Sequence, residues 1–418
     1  MTAQSIFLLF LGGLVPLMFI AYIIGKNKAL KMIQCGHKTH SQATQYGWFS
    51  ALYTGLPVIL VMVAGVLASL FGVDAIPKPM LIVVALVVGV VALLVIQKSI
   101  TKDTKARDNI ESLIKGVLLF ATFISVLTTF GILFSIVFEA FHFFQRESFW
   151  HFITGTQWDP DTAFLEGASR DASMAAAAKF GAVPIFAGTF YITFIAMLVA
   201  VPLGVLGAIF MSEYASSKIR NTIKPLLEIL AGIPTVVYGF FAAITVAPIL
   251  VNLFAKFGLS ASYESALGAG IVMGIMIVPI IASLSDDVIS SVPQKTKNGA
   301  LALGMTKAET IKFVTLPSAM PGIIASVLLG VSRALGETMI VVMAASLRPN
   351  LTWNPLEDMT TVTVKIVEAL TGDQEFNSSL TLSAFALGLI LFVVTLVINI
   401  ISVQTIRSFH KKYKISTL

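Results

Sequence analysis

The chain alternates long apolar segments with short polar ones along its whole length. A helix needs about 20 mostly apolar residues to cross the hydrocarbon core of a bilayer, and nine segments meet that test. They run approximately over 5–24, 48–71, 80–97, 116–141, 182–212, 226–251, 266–284, 319–345 and 380–403. These runs are too long and too uniformly apolar to be the strands of a membrane barrel. The pattern therefore predicts an all-α integral membrane protein with about nine transmembrane helices.

Composition supports a membrane protein. Of the 418 residues, 56% are hydrophobic and only 12% are charged, which is too few to cover the surface of a soluble protein of this length. The single cysteine excludes a disulfide within the chain.

The distribution of basic residues predicts the orientation in the membrane. The loops fall into two alternating sets, of which one contains 20 of the 28 Lys and Arg residues and the other contains 7. The basic set consists of 25–47, 98–115, 213–225, 285–318 and the tail from 404. Cytoplasmic loops carry such an excess, so we expect the N-terminus outside and the C-terminus in the cytoplasm.

A charged linker at 98–115 separates three closely spaced spans from the six that follow. We therefore expect an N-terminal extension with three transmembrane helices over 1–115 and a second domain with six over 116–418. The second domain contains nearly all of the unusual residues.

The polar segment between the seventh and eighth predicted spans has the pattern of a helical hairpin. Apolar positions recur at helical spacing on both sides of Gly304, and Pro317 follows. We expect Gly304 to adopt the left-handed conformation that ends one helix, and Pro317 to end the second. The pattern is compatible with a knob that docks onto a partner and also with a hairpin that lies on the membrane surface.

Arg333 is a charged residue inside the eighth predicted span. On insertion scales such a charge costs about 2.5–3.5 kcal/mol, and it is normally paired or faces a polar path. Glu337 follows four residues later, so the two side chains are expected to share one helix face and to pair. The pair could serve only helix packing. Alternatively, the planar guanidinium could bind the oxygens of an anion in transit, with Glu337 balancing its charge.

The segment AGIPTVVYG, 231–239, contains residues that interrupt helices. Pro234 removes a backbone hydrogen bond, and Gly232 and Gly239 loosen the helix on either side. The interruption is compatible with a simple packing kink. It is also compatible with a lined cavity, into which Thr235 and Tyr238 would offer hydroxyl groups.

Metal and nucleotide chemistry have little support in the sequence. Cys35, His37 and His40 could offer three ligands to zinc, but a fourth is missing from this short basic loop, so we expect no metal and no cofactor. There is no G-x-x-x-x-G-K-[ST] phosphate loop. Any transport through this chain would therefore draw its energy from another chain or from an ion gradient.

Several segments carry a resemblance to known permeases. NGALALGMTKAETIKFVTLP resembles the EAA-G coupling loop of ABC-importer permeases. AGIPTVVYG, MSEYASSKIRNTIKPLLEIL, GVSRALGETM and FITGTQWDP are similar to segments of phosphate importer permeases. Together they resemble the PstC-type permease family of phosphate ABC importers over about 150–410, with the core at about 182–403. The first 115 residues lie outside this resemblance.

The resemblance implies roles for particular residues. It places an ABC importer type I permease domain over 116–418 and a pathway that includes Arg333, Glu337 and Thr338. The matches to the ATPase-coupling loop are Ala300, Gly304, Leu316 and Pro317. Asn298 and Gly299 stand where the family has Glu and Ala, so any docking salt bridge made by that Glu is missing here.

The resemblance also implies partners. The chain would form half of a phosphate pathway in a bacterial inner membrane, surrounded by lipid. Its partners would be a PstA-type permease subunit, a PstB-type ATPase dimer and a PstS-type periplasmic phosphate-binding protein. Neither an ATPase site in this chain nor nucleic-acid binding is implied. Two alternatives remain: a permease for sulfate, molybdate or phosphonate, and an ion-coupled secondary transporter or membrane enzyme.

Overall fold

The computed structural model describes residues 3–35, 39–72, 77–160, 179–371 and 378–413. Within these ranges nine helical segments are long and apolar enough to cross a membrane. They are Phe7–Gln34, Ala43–Ser69, Pro79–Ser99, Ala106–Arg146, Val183–Tyr214, Thr235–Ala255, Ala266–Ser291, Lys307–Leu335 and Ser379–Ser408. The predicted all-α membrane fold with nine spans is confirmed.

The chain divides into two compact units, Met1–Gly131 and Ile132–Leu418. The first unit contains α1 (Ala3–Gln34), α2 (Ala43–Leu70) and α3 (Lys78–Ser99), and the long α4 (Ala106–Arg146) begins in it.

The three helices of the first unit pack through small residues. A Cβ atom at Gly25 would lie 2.7 Å from the carbonyl oxygen of Tyr46, and one at Gly89 would lie 2.5 Å from Val58. Such contacts let backbones approach closely where lipid and protein are equally apolar. At one end of the unit, the Tyr46 hydroxyl donates a hydrogen bond to the carbonyl of Thr104 at 2.7 Å.

The second unit is built from twelve helices, two very short strands and three π-helical turns in its described residues. The regular elements are α5 (Phe149–Thr154), β1 (Trp158–Asp159), β2 (Lys179–Phe180), α6 (Val183–Ile209), α7 (Ser217–Ala231), α8 (Thr235–Phe241), α9 (Ala247–Ala255), α10 (Ala266–Ser291), α11 (Gln294–Ala302), α12 (Lys307–Thr310), α13 (Leu316–Leu335), α14 (Met339–Ala344), α15 (Val362–Thr371) and α16 (Ser379–Tyr413). The π-helical turns are Phe210–Tyr214, Ala242–Val246 and Ile311–Thr315. The second of these turns joins α8 to α9, and the third joins α12 to α13.

Helix α10 forms the centre of the second unit and packs along α6. A Cβ atom at Gly274 would lie 2.7 Å from the carbonyl oxygen of Ala196, and one at Gly270 would lie 2.6 Å from Ile195. The core around this contact also includes Met273, Ile277 and residues of α14. Side chains larger than glycine would separate the two helices, so this contact fixes how the other elements are placed.

A second core at one end of this unit is built around four aromatic side chains. The strands β1 and β2 pair antiparallel, with Trp158 opposite Phe180 and their rings 5.6 Å apart at 84°. Phe143 and Phe152 pack edge-to-face into the same cluster. A two-residue ladder is too short to show strand alternation in a sequence, which is why none was predicted.

Two predicted spans have different bounds in the structure. The span predicted at 226–251 begins at Thr235, because the preceding amphipathic helix α7 ends at Ala231. The span predicted at 319–345 ends at Leu335, and a short helix follows after a three-residue turn. Hydropathy averaged over a window as long as a span does not resolve turns of only three residues.

Candidate functional site

The interruption predicted within AGIPTVVYG is a complete break between two helices. Helix α7 closes at Gly232, and Pro234 is the N-cap residue of α8 with φ −55° and ψ 133°. Proline has no N–H to donate and its ring restricts the residue before it, so the helix restarts instead of bending. Across the break, the Tyr238 hydroxyl donates a hydrogen bond to the carbonyl of Leu230 at 2.9 Å.

Gly239 does not interrupt the helix, contrary to prediction. It lies buried inside α8, where a Cβ atom would be 2.8 Å from Cβ of Met343 and 3.0 Å from the carbonyl oxygen of Met339. Its small size allows α8 to approach α14. Thr235 begins α8 and is half-buried. The hydroxyl of Tyr238 satisfies the carbonyl of Leu230, a contact that no pattern in the sequence predicts.

The predicted ion pair between Arg333 and Glu337 is not present. Both residues are described, and no carboxylate oxygen of Glu337 lies within 4.0 Å of the guanidinium nitrogens. The reason is that α13 ends at Leu335, with Gly336 as its C-cap, so the two side chains do not share a helix face. Arg333 is exposed, whereas Glu337 is only 6% exposed.

Glu337 instead caps the helix that follows. Its Oε1 accepts hydrogen bonds from the backbone N–H groups of Met339 at 3.1 Å and of Ile340 at 3.4 Å. Its own carbonyl oxygen accepts one from the Thr363 hydroxyl at 2.8 Å. A carboxylate at a helix N-terminus is also favoured by the helix dipole. Glu337 therefore holds the turn between α13 and α14 in place.

The structure brings two of the predicted groups of residues together. The α8 segment with Thr235 and Tyr238 packs, through Gly239, on α14 directly after Glu337 and Thr338. Arg333 lies two residues before the end of α13, on the other side of the Gly336 turn. The two helix interruptions thus meet where Gly239 contacts α14.

The predicted hairpin consists of α11 and α12 joined at Gly304. Gly304 has φ +87°, so the predicted left-handed conformation is confirmed. Ala300 is buried, and its carbonyl accepts a hydrogen bond from Met305 N–H at 3.3 Å. Asn298 accepts one from the side chain of Gln294 at 3.2 Å. The second helix starts with a capping box between Thr306 and Glu309.

Pro317 does not end the second helix of the hairpin, contrary to prediction. Residues Lys307–Leu335 form one continuous span, in which the π-helical turn Ile311–Thr315 comes before Leu316 and Pro317. Proline has no N–H group, and within the first turn of a helix this group is not required for a helical hydrogen bond. The wider π-helical turn before Pro317 also avoids a clash between the proline ring and the preceding carbonyl. The hairpin is therefore continuous with the helix that carries Arg333.

An ionic network that the sequence did not reveal ties the hairpin to its neighbours. The Lys297 ammonium, at the base of α11, lies 2.6 Å from the Glu213 carboxylate, and both side chains are about nine-tenths buried at 9% and 11% exposure. Glu213 belongs to the π-helical turn after α6. The pair therefore links α11 to the end of α6.

A second part of the network links α7 to the end of α10. Asp286 is 0% exposed and accepts from Arg220 at 2.9 Å and from Lys224 at 3.4 Å. Lys224 also pairs with Asp287, and this hydrogen bond raises the pKa of the ammonium group above its ordinary value. The sequence analysis used Arg220 and Lys224 only in its count of basic residues on each side of the membrane. The partners are more than 60 residues apart, so no local spacing could identify them.

The residues considered for zinc do not form a site in the described part of the chain. Cys35 is free and exposed, and His37 lies outside the described residues. No group of three or more His, Cys, Asp or Glu residues suited to a metal occurs within the described ranges.

Comparison with known proteins identifies the family. Residues 200–411 match the family described as binding-protein-dependent transport system inner membrane component. Residues 11–81 match one described as phosphate ATP-binding cassette transporter, which extends the resemblance into the first unit. The chain therefore belongs to the family of binding-protein-dependent transport system inner membrane components, and it is a multi-pass membrane protein and a component of a transport system.

Several curated relatives share this similarity. The chain is 33% identical over 275 residues to the phosphate transport system permease protein PstC 1 of Mycobacterium tuberculosis, which covers 62% of this chain and 81% of the relative. It is 33% identical over 315 residues to PstC of Haemophilus influenzae, covering 70% and 92%. It is 35% identical over 237 residues to the probable ABC transporter permease protein YqgH of Bacillus subtilis, covering 57% and 74%. The predicted resemblance is confirmed.

The buried pair between Lys297 and Glu213 makes a specific prediction about stability. Changing either residue to Gln leaves the other charge buried without a partner, and we expect each variant to lose about 3 kcal/mol of unfolding free energy. The double variant Glu213→Gln/Lys297→Gln should lose less than either single one. Thermal unfolding of the purified protein in detergent measures this. Lys295→Gln, an exposed change on the same helix, is the control, and single variants as stable as that control would contradict the prediction.

Proposed function

We propose that this chain is the permease subunit of an ATP-driven phosphate importer and forms half of the translocation pathway. The proposal is supported by the phosphate permeases among its relatives. One observation carries the mechanism: the helical hairpin and Arg333 lie at two ends of the same continuous helix. The chain acts as a transport subunit without an ATPase site, so hydrolysis is assigned to separate subunits.

Arg333 is the proposed anion contact in the membrane. It lies 14 residues after Ala319, where the apolar part of the span begins, and at 1.5 Å per residue this is about 21 Å into the helix. That depth falls within a hydrocarbon core of about 30 Å. Because Glu337 caps α14 and does not pair with Arg333, the guanidinium is available to a phosphate oxygen. Thr338, Thr235 and Tyr238 are proposed to line the same path.

Coupling follows from the continuity of the helix. Lys307 and Arg333 are 26 residues apart, which corresponds to about 39 Å along the axis. A displacement of the hairpin by a partner is transmitted to the turn at Gly336, because a hydrogen-bonded helix shortens very little. The π-helical turn, Pro317 and Pro321 are the places where this helix can bend.

The hairpin is the proposed docking element for a PstB-type ATPase dimer. Leu301 and Leu303 expose large apolar side chains close to the Gly304 turn, and Leu303 is 86% exposed. Exposed apolar residues grouped on a polar element are typical of a protein interface. Since Asn298 replaces the family Glu, docking is proposed to depend on these apolar contacts and on the shape set by Gly304.

The two other proposed partners contact this chain within the bilayer and on its outer side. A PstA-type permease is proposed to complete the pathway within the lipid bilayer. A PstS-type phosphate-binding protein is proposed to dock on the outer loops 142–180 and 346–379, of which residues 161–178 and 372–377 lie outside the described ranges. The N-terminus is placed outside and the C-terminus in the cytoplasm of a bacterial cell, with 1–115 as an extension and 116–418 as the permease domain.

Arg333→Gln tests the pathway. An amide supplies donors but no charge to offset desolvation of the anion, so we expect phosphate uptake to fall at least tenfold while the protein still inserts and assembles. Arg333→Lys should recover little, since a point charge does not reproduce the planar fork. Labelled phosphate uptake is measured at matched membrane abundance, with Arg407→Gln as the control. Normal uptake by Arg333→Gln would refute this role, and wild-type uptake of another oxyanion in place of phosphate would refute the substrate.

Gly304→Val tests docking. The φ of +87° strains a β-branched residue even though no atom lies within 4 Å of its Cβ position, so the turn should be distorted. We expect the amount of ATPase that co-purifies with the tagged chain to fall about tenfold, with membrane insertion unchanged. Gly304→Asn should be milder, because Asn tolerates this conformation. Gly299→Ala, which also meets no atom within 4 Å, should bind as the wild type does. Normal ATPase binding by Gly304→Val would remove the docking assignment.

Cys35 tests the orientation. It is the single cysteine of the sequence, and it is exposed at the end of α1. A membrane-impermeant thiol reagent should leave it unlabelled in intact spheroplasts and should label it after permeabilisation. Efficient labelling in intact spheroplasts would place this loop outside and invert the proposed topology.

A further inference from the structure

A cavity of about 210 Å³ opens at the end of the second unit opposite the hairpin. Its polar lining comes from four side chains: the bases Arg348 and Lys365 and the carboxylates Asp159 and Glu368. In the proposed topology this end faces outward. The cavity has room for several water-sized groups. It lies outside the pathway described above, although Trp158 and Asp159 belong to the FITGTQWDP segment and most of the lining falls within the outer loops proposed for the binding protein.

The two side chains of the ion pair between Lys365 and Glu368 differ in their burial. The side chain of Lys365 is 9% exposed on α15, whereas that of Glu368, 2.6 Å away, is 42% exposed. A buried ammonium needs an anionic partner. Glu368 can rotate into solvent at little cost, so the lysine is the fixed group and the carboxylate is the exchangeable one. An incoming anion can take its place.

Trp158 forms one wall of the cavity. Its ring is fixed by the pairing of β1 with β2 and by edge-to-face contact with Phe180. Its Nε1 is buried out of reach of a water-sized group, so this side chain offers a ligand its ring and not its N–H.

Arg348 provides the second cation. Its backbone N–H donates to the Ser346 hydroxyl at 3.0 Å, which fixes the start of the side chain. Within the described part of the chain its guanidinium forms no ion pair. An unpaired guanidinium presents planar donors that suit two oxygens of one anion.

The cavity is joined to the proposed pathway through α15. Thr363, two residues before Lys365, donates a hydrogen bond to the carbonyl of Glu337 at 2.8 Å. The element that carries the cavity's fixed cation therefore also contacts the turn between α13 and α14.

We propose that this cavity is an outer receiving site for a tetrahedral oxyanion, held by Arg348 and Lys365 before it moves to Arg333. The inference rests on the proposed function and adds to it a site outside the membrane path.

The test uses the complete transporter in proteoliposomes with its binding protein and labelled inorganic phosphate. We expect Arg348→Gln and Lys365→Gln each to lower maximal uptake about tenfold at saturating binding protein, with the half-saturating concentration of binding protein within twofold of wild type. Lys256→Gln is the matched control, because it removes an exposed basic residue from the same proposed side without touching the cavity.

The other outcomes overturn the proposal. Unchanged uptake in Arg348→Gln, whose side chain is exposed and whose loss is tolerated by the fold, removes the site even if Lys365→Gln is unstable. A raised half-saturating concentration with normal maximal uptake makes the cavity a docking surface for the binding protein. If the wild type imports sulfate and not phosphate, the proposed substrate fails, and the same variants are measured with sulfate. If it imports no oxyanion, both proposals fail.

Discussion

The constraint on which the rest of this structure depends is that backbone N–H and C=O groups inside a membrane need partners within the protein. Helices meet it along most of each span. Where the chain departs from helix, polar side chains take over: the Tyr238 hydroxyl reaches the carbonyl of Leu230, and Glu337 binds the first N–H groups of α14. The residues that most resemble substrate ligands are therefore also the ones that make the two breaks possible.

These structural roles of Tyr238 and Glu337 limit which residues of the candidate pathway can contact a substrate. Glu337 cannot be moved without freeing the N-terminus of α14, and α14 packs on α8 through Gly239. A displacement of Glu337 therefore also affects the break between α7 and α8. Arg333 carries no such structural duty, because its side chain is exposed and the helix ends two residues later. Of the two charged residues, the arginine is the one free to respond to an anion.

The sequence predicted the parts of the fold that depend on local pattern. Nine spans followed from hydropathy, the Gly232 to Pro234 break from residue type, and the positive φ of Gly304 from its place between two helical patterns. Prediction was wrong where one residue changed the geometry. The predicted pair of Arg333 and Glu337 required one continuous helix, but α13 ends at Leu335 with Gly336 as its C-cap. Pro317 was expected to end a helix, but the π-helical turn before it lets the helix continue.

Contacts between distant residues were beyond the reach of the sequence, and they divide the charged groups into two kinds. Asp286 is wholly buried between two cations from α7, and Lys297 and Glu213 are both buried, so removing one partner would strand the other. At the opposite end, Lys365 is buried but its partner Glu368 is largely exposed. A pair with two buried members holds helices together and cannot exchange its partner. A pair with one exposed member can, so ligand exchange is possible at the end of the unit where the pairing is asymmetric.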